Sequence, residues 1–170
     1  GRTIPPQADG KRHLVVKTPL GVVAAISPWN FPLVLAVRKA APAMAAGCPV
    51  VLKPASATPV CAALFAECVH AAGAPKGVFQ LVAGPAPEIA AEFLGNPLCR
   101  KITFTGSTEV GRKLISGAAA QVKPLSLELG GHAPVLVFDD ADLATAVEQT
   151  MIAKFRNTGQ SCIAANRVYV

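Results

Sequence analysis

A sulfur, a carboxylate and a few polar loop residues are the parts of this sequence able to do chemistry. Cys162 lies in RNTGQSCIAANR (156–167), where a polar, turn-forming run from Asn157 to Ser161 gives way to a short apolar segment closed by Asn166 and Arg167. A structural cysteine usually sits inside an apolar stripe, whereas reactive ones favour partly exposed, electropositive boundaries of this kind. As a nucleophile Cys162 needs a base, an oxyanion donor and an electrophile. His132 is the one nearby histidine, and spacing alone gives it little claim to be the base. The C-x4-R spacing from Cys162 to Arg167 is one residue short of a phosphate-wrapping cysteine loop and lacks its glycines, so phosphatase chemistry is rejected. Glu128 stands in an apolar run directly before Leu129, Gly130 and Gly131. On a solvated face it would be structural; buried, its pKa would rise and suit it to general-base work near neutrality.

The elements that must position these groups alternate along the chain. Val22–Ile26 reads as a buried strand ended by the turn SPWNFP, followed by a helix from about Leu33 to Ala46. A second buried strand, Val50 to Leu52, stops at Pro54, and a helix begins near Thr58 with Pro59 at its first position and ends at Gly73. GVFQLV is a third strand, Glu88–Leu94 a short helix, KITFTG a fourth strand, and Ser107–Ala119 a further helix. Strands and helices at this spacing form βαβ units, so the fold class is α/β with a mostly parallel sheet. Ligands of such sheets bind beyond the carboxyl ends of the strands. Trp29 and Asn30 follow the first strand, Lys53 the second, and Gly106 and Ser107 the fourth. FTGSTEVG leads from strand to helix, where free N–H groups could hold a phosphate; a glycine there is more often only a turn, and no G-x-G-x-x-G is present.

After Pro124 the texture changes. LSLELGG and APVLVF are strand-like, Asp139 or Asp140 is placed to cap a helix over Leu143–Phe155, and NRVYV reads as the start of a strand. The chain is expected to be a piece of a longer protein, divided at 1–18, 19–126 and 127–170.

Composition excludes several function classes. With 52% hydrophobic and 15% charged residues, the 170-residue chain carries enough apolar material for a buried core rather than disorder. The net charge of +6 is scattered, without Lys/Arg runs and with only 5% aromatics, which argues against nucleic acid and for attraction to small anions. Apolar runs are far too short to span a bilayer, and Arg2 is followed by prolines and polar residues rather than a signal sequence. The five cysteines Cys48, Cys61, Cys68, Cys99 and Cys162 form no C-x-x-C pair. That pattern fits a reducing, cytoplasmic setting and no zinc site; the three histidines are too spread to suggest a metal.

PWNFP (28–32), VLKPAS (51–56), FTGSTEVG (104–111), LELGG (127–131) and NTGQSC (157–162) occur in the order found in the aldehyde dehydrogenase superfamily, which the chain resembles over nearly its whole length. AVRKAAPAMAAG, FDDADL and KFRNTGQSC make it most similar to the NADP-linked, succinate-semialdehyde-oxidising branch. The resemblance implies a Rossmann-like dinucleotide-binding domain at 19–126, preceded by part of an oligomerisation arm at 1–18 and followed by the beginning of a catalytic domain at 127–170. It implies that Cys162 attacks the aldehyde, that Asn30 and the Cys162 backbone N–H hold the oxyanion, and that Glu128 activates the hydrolytic water. Lys53 would touch the adenosine ribose, and Ile26, Ser27, Pro28, Trp29, Ala55, Ser56, Gly106, Ser107, Gly111 and Leu129 would complete the cofactor site. Arg38 and Arg156 would face the distal carboxylate of the substrate, or else be surface helix charges. NAD-linked members often carry glutamate where this chain has Ser56, so NADP is expected, with NAD as the alternative. Ala164 stands where some members have a second cysteine, so no disulfide switch forms there. The full-length protein would be a homo-oligomer. A different aldehyde, or a cofactor-binding piece inactive alone, are the other readings; a purely structural relative is disfavoured by the joint presence of Cys162, Glu128 and Asn30.

Overall fold

The computed structural model describes residues 1–170. Two short strands open it, β1 (Arg2–Ile4) and β2 (His13–Val15), followed by β3 (Val22–Ile26), α1 (Pro32–Ala45), β4 (Val50–Lys53) and α2 (Pro59–Ala71). Then come β5 (Phe79–Leu81), α3 (Ala86–Gly95), β6 (Cys99–Gly106), α4 (Thr108–Ala118) and β7 (Leu125–Leu129). The chain continues through β8 (Ala133–Leu136), α5 (Leu143–Phe155) and β9 (Ala165–Tyr169). Proline sets where helices begin: Pro32 and Pro59 open α1 and α2, where a missing N–H is not wanted by the helix and the fixed φ already suits it. Ser107 and Asp142 cap α4 and α5 by accepting from the N–H of Val110 and Thr145.

Five strands form one sheet in the order β5-β4-β3-β6-β7, with every pairing parallel. β3 alternates its side chains between two cores. Ala25 joins Ala36 and Ala40 of α1, Ala62 of α2, and Val50 and Leu52 on one face. Ala24 joins Phe93 of α3 and Ile102 on the other. The alanines let helix backbones approach the sheet closely, while Val50, Leu52 and Ile102, wholly buried, each contribute roughly 1.5–3 kcal/mol. The strand order turns back between β3 and β6, and a crevice opens beyond the carboxyl ends there. No helix is long and apolar enough to cross a membrane.

One element boundary differs from the sequence reading, and one element is added by pairing alone: Arg2–Ile4 is held as a strand by antiparallel pairing with His13–Val15. The α3 helix starts at Ala86 and ends at Gly95, wider than Glu88–Leu94, because Pro85 and Pro87 lie at its entry rather than blocking it. Position 126/127 lies within β7, which pairs with β6 through Leu129. After Gly130–His132, β8 and β9 form a separate parallel pair joined through α5.

Candidate active site

At the switch point the ends of several elements enclose a cavity of about 300 Å³. Its walls are Pro28, Trp29 and Asn30 after β3, Thr105, Gly106 and Ser107 at the end of β6, Leu129 and Gly130 at the end of β7, and Gln160, Ser161 and Cys162 from the loop before β9. Four segments far apart in sequence thus bring the candidate nucleophile, the candidate oxyanion donor and the strand-to-helix turn of α4 to one place. Cys162 is exposed to this space, and Ala164 behind it is buried. Two larger cavities, about 530 Å³ each, lie under α5 and under α3 with mainly apolar linings and hold none of these groups.

The loop before Cys162 is strained. Asn157, Thr158 and Gly159 take φ of 51°, 55° and 79° in succession. Left-handed backbone is tolerable for Asn and easy for Gly but unfavourable for the β-branched Thr158, costing about 1–3 kcal/mol, and persists only where surroundings enforce it. Asn30 provides part of that enforcement. Its Nδ2 donates to the Gln160 carbonyl at 2.9 Å, while Asn157 Nδ2 donates to the Asn30 carbonyl at 3.0 Å. This exchange ties the turn after β3 to the nucleophile loop and leaves Asn30 one amide proton for another acceptor. Its Oδ1 is buried without a partner. Asn157 and Gln160 were not singled out in the sequence beyond their loop character; an asparagine followed by Thr-Gly, at a place that demands left-handed backbone, is the signal that could have found them.

On the cofactor side the residues fit a dinucleotide. A Cβ on Gly106 would fall 2.9 Å from Phe104 Cε2, and one on Gly111 2.7 Å from Leu129 Cδ2, so these glycines let α4 start and pack tightly beside β6 and β7. Ser107 uses its hydroxyl to cap α4, leaving the first-turn N–H groups of Thr108 and Glu109 without helical partners, where an anion is favoured. Ser27 is buried with an unpartnered Oγ, and Trp29 is half exposed over the crevice. Lys53 is buried, donates to the Pro54 carbonyl at 2.8 Å and reaches Ser56 Oγ at 3.4 Å. Its burial lowers the ammonium pKa from 10.5. Ile26 ends β3 beside Lys53, and Ala55 and the exposed Ser56 continue the same edge.

Glu128 is exposed, because β7 is an edge strand and its alternation turns Ser126 and Glu128 away from the α3–α4 face that takes Leu129. Glu128 therefore does not line the Cys162 cavity, though the next residue does. Facing it is Lys39, a residue the sequence did not mark. Lys39 is 8% exposed and donates to Thr105 Oγ1 at 2.5 Å. Burial pushes its pKa down from 10.5, offset in part by the Glu128 charge, and the Arg38 charge lowers it further. Arg38 is exposed and borders a separate cavity of about 440 Å³ with Lys101, Thr103 and Ser126. Arg156, exposed at the end of α5, borders neither cavity, so the 170 residues do not bring the two guanidinium groups together. No cluster of side chains suited to a metal ion is present.

Comparison with known proteins agrees with this geometry. The aldehyde dehydrogenase family model matches residues 1–170. A glutarate-semialdehyde dehydrogenase of Pseudomonas aeruginosa is 57% identical over all of this chain and 35% of its own length. An NADP(+)-dependent succinate-semialdehyde dehydrogenase of Escherichia coli K12 is 56% identical with the same coverage. The crystal structure of a succinate-semialdehyde dehydrogenase from Burkholderia pseudomallei superposes with a TM-score of 0.97 at 52% identity, over 99% of this chain and 35% of that one. The chain spans about a third of the length of the curated relatives it matches. Its parallel sheet with the crevice at the strand-order switch, its ordered motifs and these matches together place it: the chain belongs to the aldehyde dehydrogenase family.

Proposed function

We propose that the protein containing this chain oxidises an aldehyde bearing a distal carboxylate, succinate semialdehyde foremost, to the acid, with NADP preferred over NAD. The observation that carries this reading is the single cavity shared by Cys162, Asn30 and the ends of β6 and β7. The names of the two curated relatives, one acting on a four-carbon and one on a five-carbon semialdehyde, favour a terminal carboxylate and leave chain length open.

Cys162 gives its thiol proton to water as Sγ attacks the aldehyde carbon, forming a C–S bond while the carbonyl electron pair moves onto oxygen. Asn30 Nδ2, already fixed by Gln160, and the Cys162 N–H donate to that oxygen. The dinucleotide would be held by Lys53, Ser56, Ser107 and the α4 N-terminus, with Gly106 and Gly111 letting α4 pack close against Phe104 and Leu129. The chemistry a bound nicotinamide supplies is acceptance of a hydride from the reacting carbon. A thioester then remains on Cys162, and Glu128 takes a proton from the water that attacks it. The C–S bond breaks, Glu128 passes its proton to the departing sulfur, and the acid leaves. Arg156, at the end of α5, holds the distal carboxylate, while Arg38 borders a separate cavity.

In the full-length protein, Cys162→Ala should abolish aldehyde oxidation while dinucleotide binding persists. Glu128→Gln should still form the first equivalent of reduced cofactor but accumulate an acyl adduct on Cys162, visible by intact mass. Normal steady-state turnover in either variant would overturn the mechanism.

A further inference from the structure

Arg167 has no part in the chemistry above, yet its guanidinium makes a two-pronged contact between β9 and the link after β7. Nε and Nη2 both donate to the carbonyl of His132, at 3.1 and 2.7 Å. His132 closes the only break between the five-stranded sheet that carries Glu128 and the two-stranded sheet that leads from Cys162. That break is Gly130–Gly131–His132. At Gly130 a Cβ would meet nothing within 4 Å, and at Gly131 the nearest atom is the Cys162 carbonyl oxygen at 3.8 Å. No side chain of the pair wedges against a neighbour, and glycine's backbone freedom lets this link act as a pivot. The β8–β9 ladder does not hold it firmly either. Its register shifts between Ala133 and Pro134, and Pro134, the residue opposite Arg167, has no N–H to donate. The guanidinium fork supplies the missing link where the ladder fails.

We infer that Arg167 is a positioning residue for thioester hydrolysis: by holding the His132 carbonyl it fixes the end of β7, where Leu129 and Gly130 follow Glu128 into the cavity wall, against the strand that follows Cys162. The two halves of the reaction depend on it unequally. Capture of the aldehyde uses Cys162 and Asn30, whose mutual placement is set by Asn30–Gln160 and Asn157–Asn30 hydrogen bonds, on the other side of the cavity. Hydrolysis needs Glu128 and Cys162 at a defined separation, which those bonds set from the β3 side and the Gly130–His132 link, held by Arg167, sets from the β7 side.

The inference rests on the function proposed above, so the test separates the two. In the full-length protein, stopped-flow with enzyme in excess gives the rate of cofactor reduction, and quenched intact mass gives the decay of the acyl adduct on Cys162. Arg167→Ala should keep the first within about twofold and slow the second at least tenfold. Arg167→Lys, which keeps one donor, should restore part of the loss; should the alanine variant not fold, a fall of at least threefold in the ratio of decay to capture for the lysine variant carries the same conclusion. Equal slowing of both steps, or no change in either ratio, would overturn the positioning role, since a loss of folded enzyme alone lowers both in proportion. No acyl mass on Cys162 in wild type or in Glu128→Gln would instead sink the functional reading and this inference with it.

Discussion

Ser56→Glu in the full-length protein tests how the site selects its dinucleotide. Lys53 donates to the Pro54 carbonyl and lies 3.4 Å from Ser56 Oγ, leaving one of its three donors uncommitted. A 2′-phosphate beside Ser56 would meet a neutral hydroxyl and a nearby ammonium. Glutamate reverses both terms. Ser56 is exposed, so the dielectric of water applies: two unit charges about 6 Å apart interact by roughly 0.7 kcal/mol, and a phosphate carrying nearly two charges is repelled by about 1.4 kcal/mol. The new carboxylate also draws Lys53 to itself, removing a charge-assisted bond of about 1.5–3 kcal/mol from the phosphate. The swing is about 3 kcal/mol, or roughly 100-fold in NADP over NAD. The assay is kcat/KM for both cofactors at low and moderate salt, the repulsive part shrinking as salt rises. The wild type should favour NADP at least tenfold, about 1.4 kcal/mol. A wild type that favours NAD, or a glutamate variant that keeps its NADP preference, refutes the reasoning.

Arg156→Ala should cost on the order of 2 kcal/mol in kcat/KM for a carboxylated aldehyde and far less for butanal; equal losses would show that it holds no carboxylate. Gly111→Ala sets about 1 kcal/mol of helix propensity against roughly 1–3 kcal/mol of overpacking, because the new Cβ lies 2.7 Å from Leu129 Cδ2. The net effect is a thermal midpoint lowered by a few degrees and weaker dinucleotide binding by titration; an unchanged affinity would show that Leu129 yields without disturbing the crevice. The pKa of Lys39 is lowered from 10.5 by burial, so the unfolded chain holds that proton more tightly than the folded one. Its contribution is therefore a penalty at low pH that is relieved as pH rises from the lowered folded value towards 10.5. Urea midpoints compared at about pH 8 and about pH 9.5 should rise less in Lys39→Met than in wild type, and identical slopes would mean that Lys39 does not titrate in the fold.

The order of strands and helices was legible in the sequence because local chemistry wrote it. Runs such as Val22–Ile26 bury both faces, Pro32 and Pro59 mark helix starts, and Ser107 is a cap before a helix. Cys162 and Glu128 stood out because each is a reactive type in a context unusual for a structural residue. What no local pattern carries is distance across the chain. The reciprocal hydrogen bonds of Asn30 with the 157–160 loop link residues about 130 apart in sequence, and only the packed sheet brings them together. Burial likewise belongs to the fold: the apolar neighbours of Glu128 left its burial open, and an edge strand turns alternate residues outward and leaves it exposed. Lys39 shows the reverse, a charge on a helix that reads as surface yet is buried because Thr105 of β6 lies beneath it. Sequence determined which residues could react; tertiary structure decided which of them share a cavity, since the sheet edge that gathers them is made by pairing between distant strands.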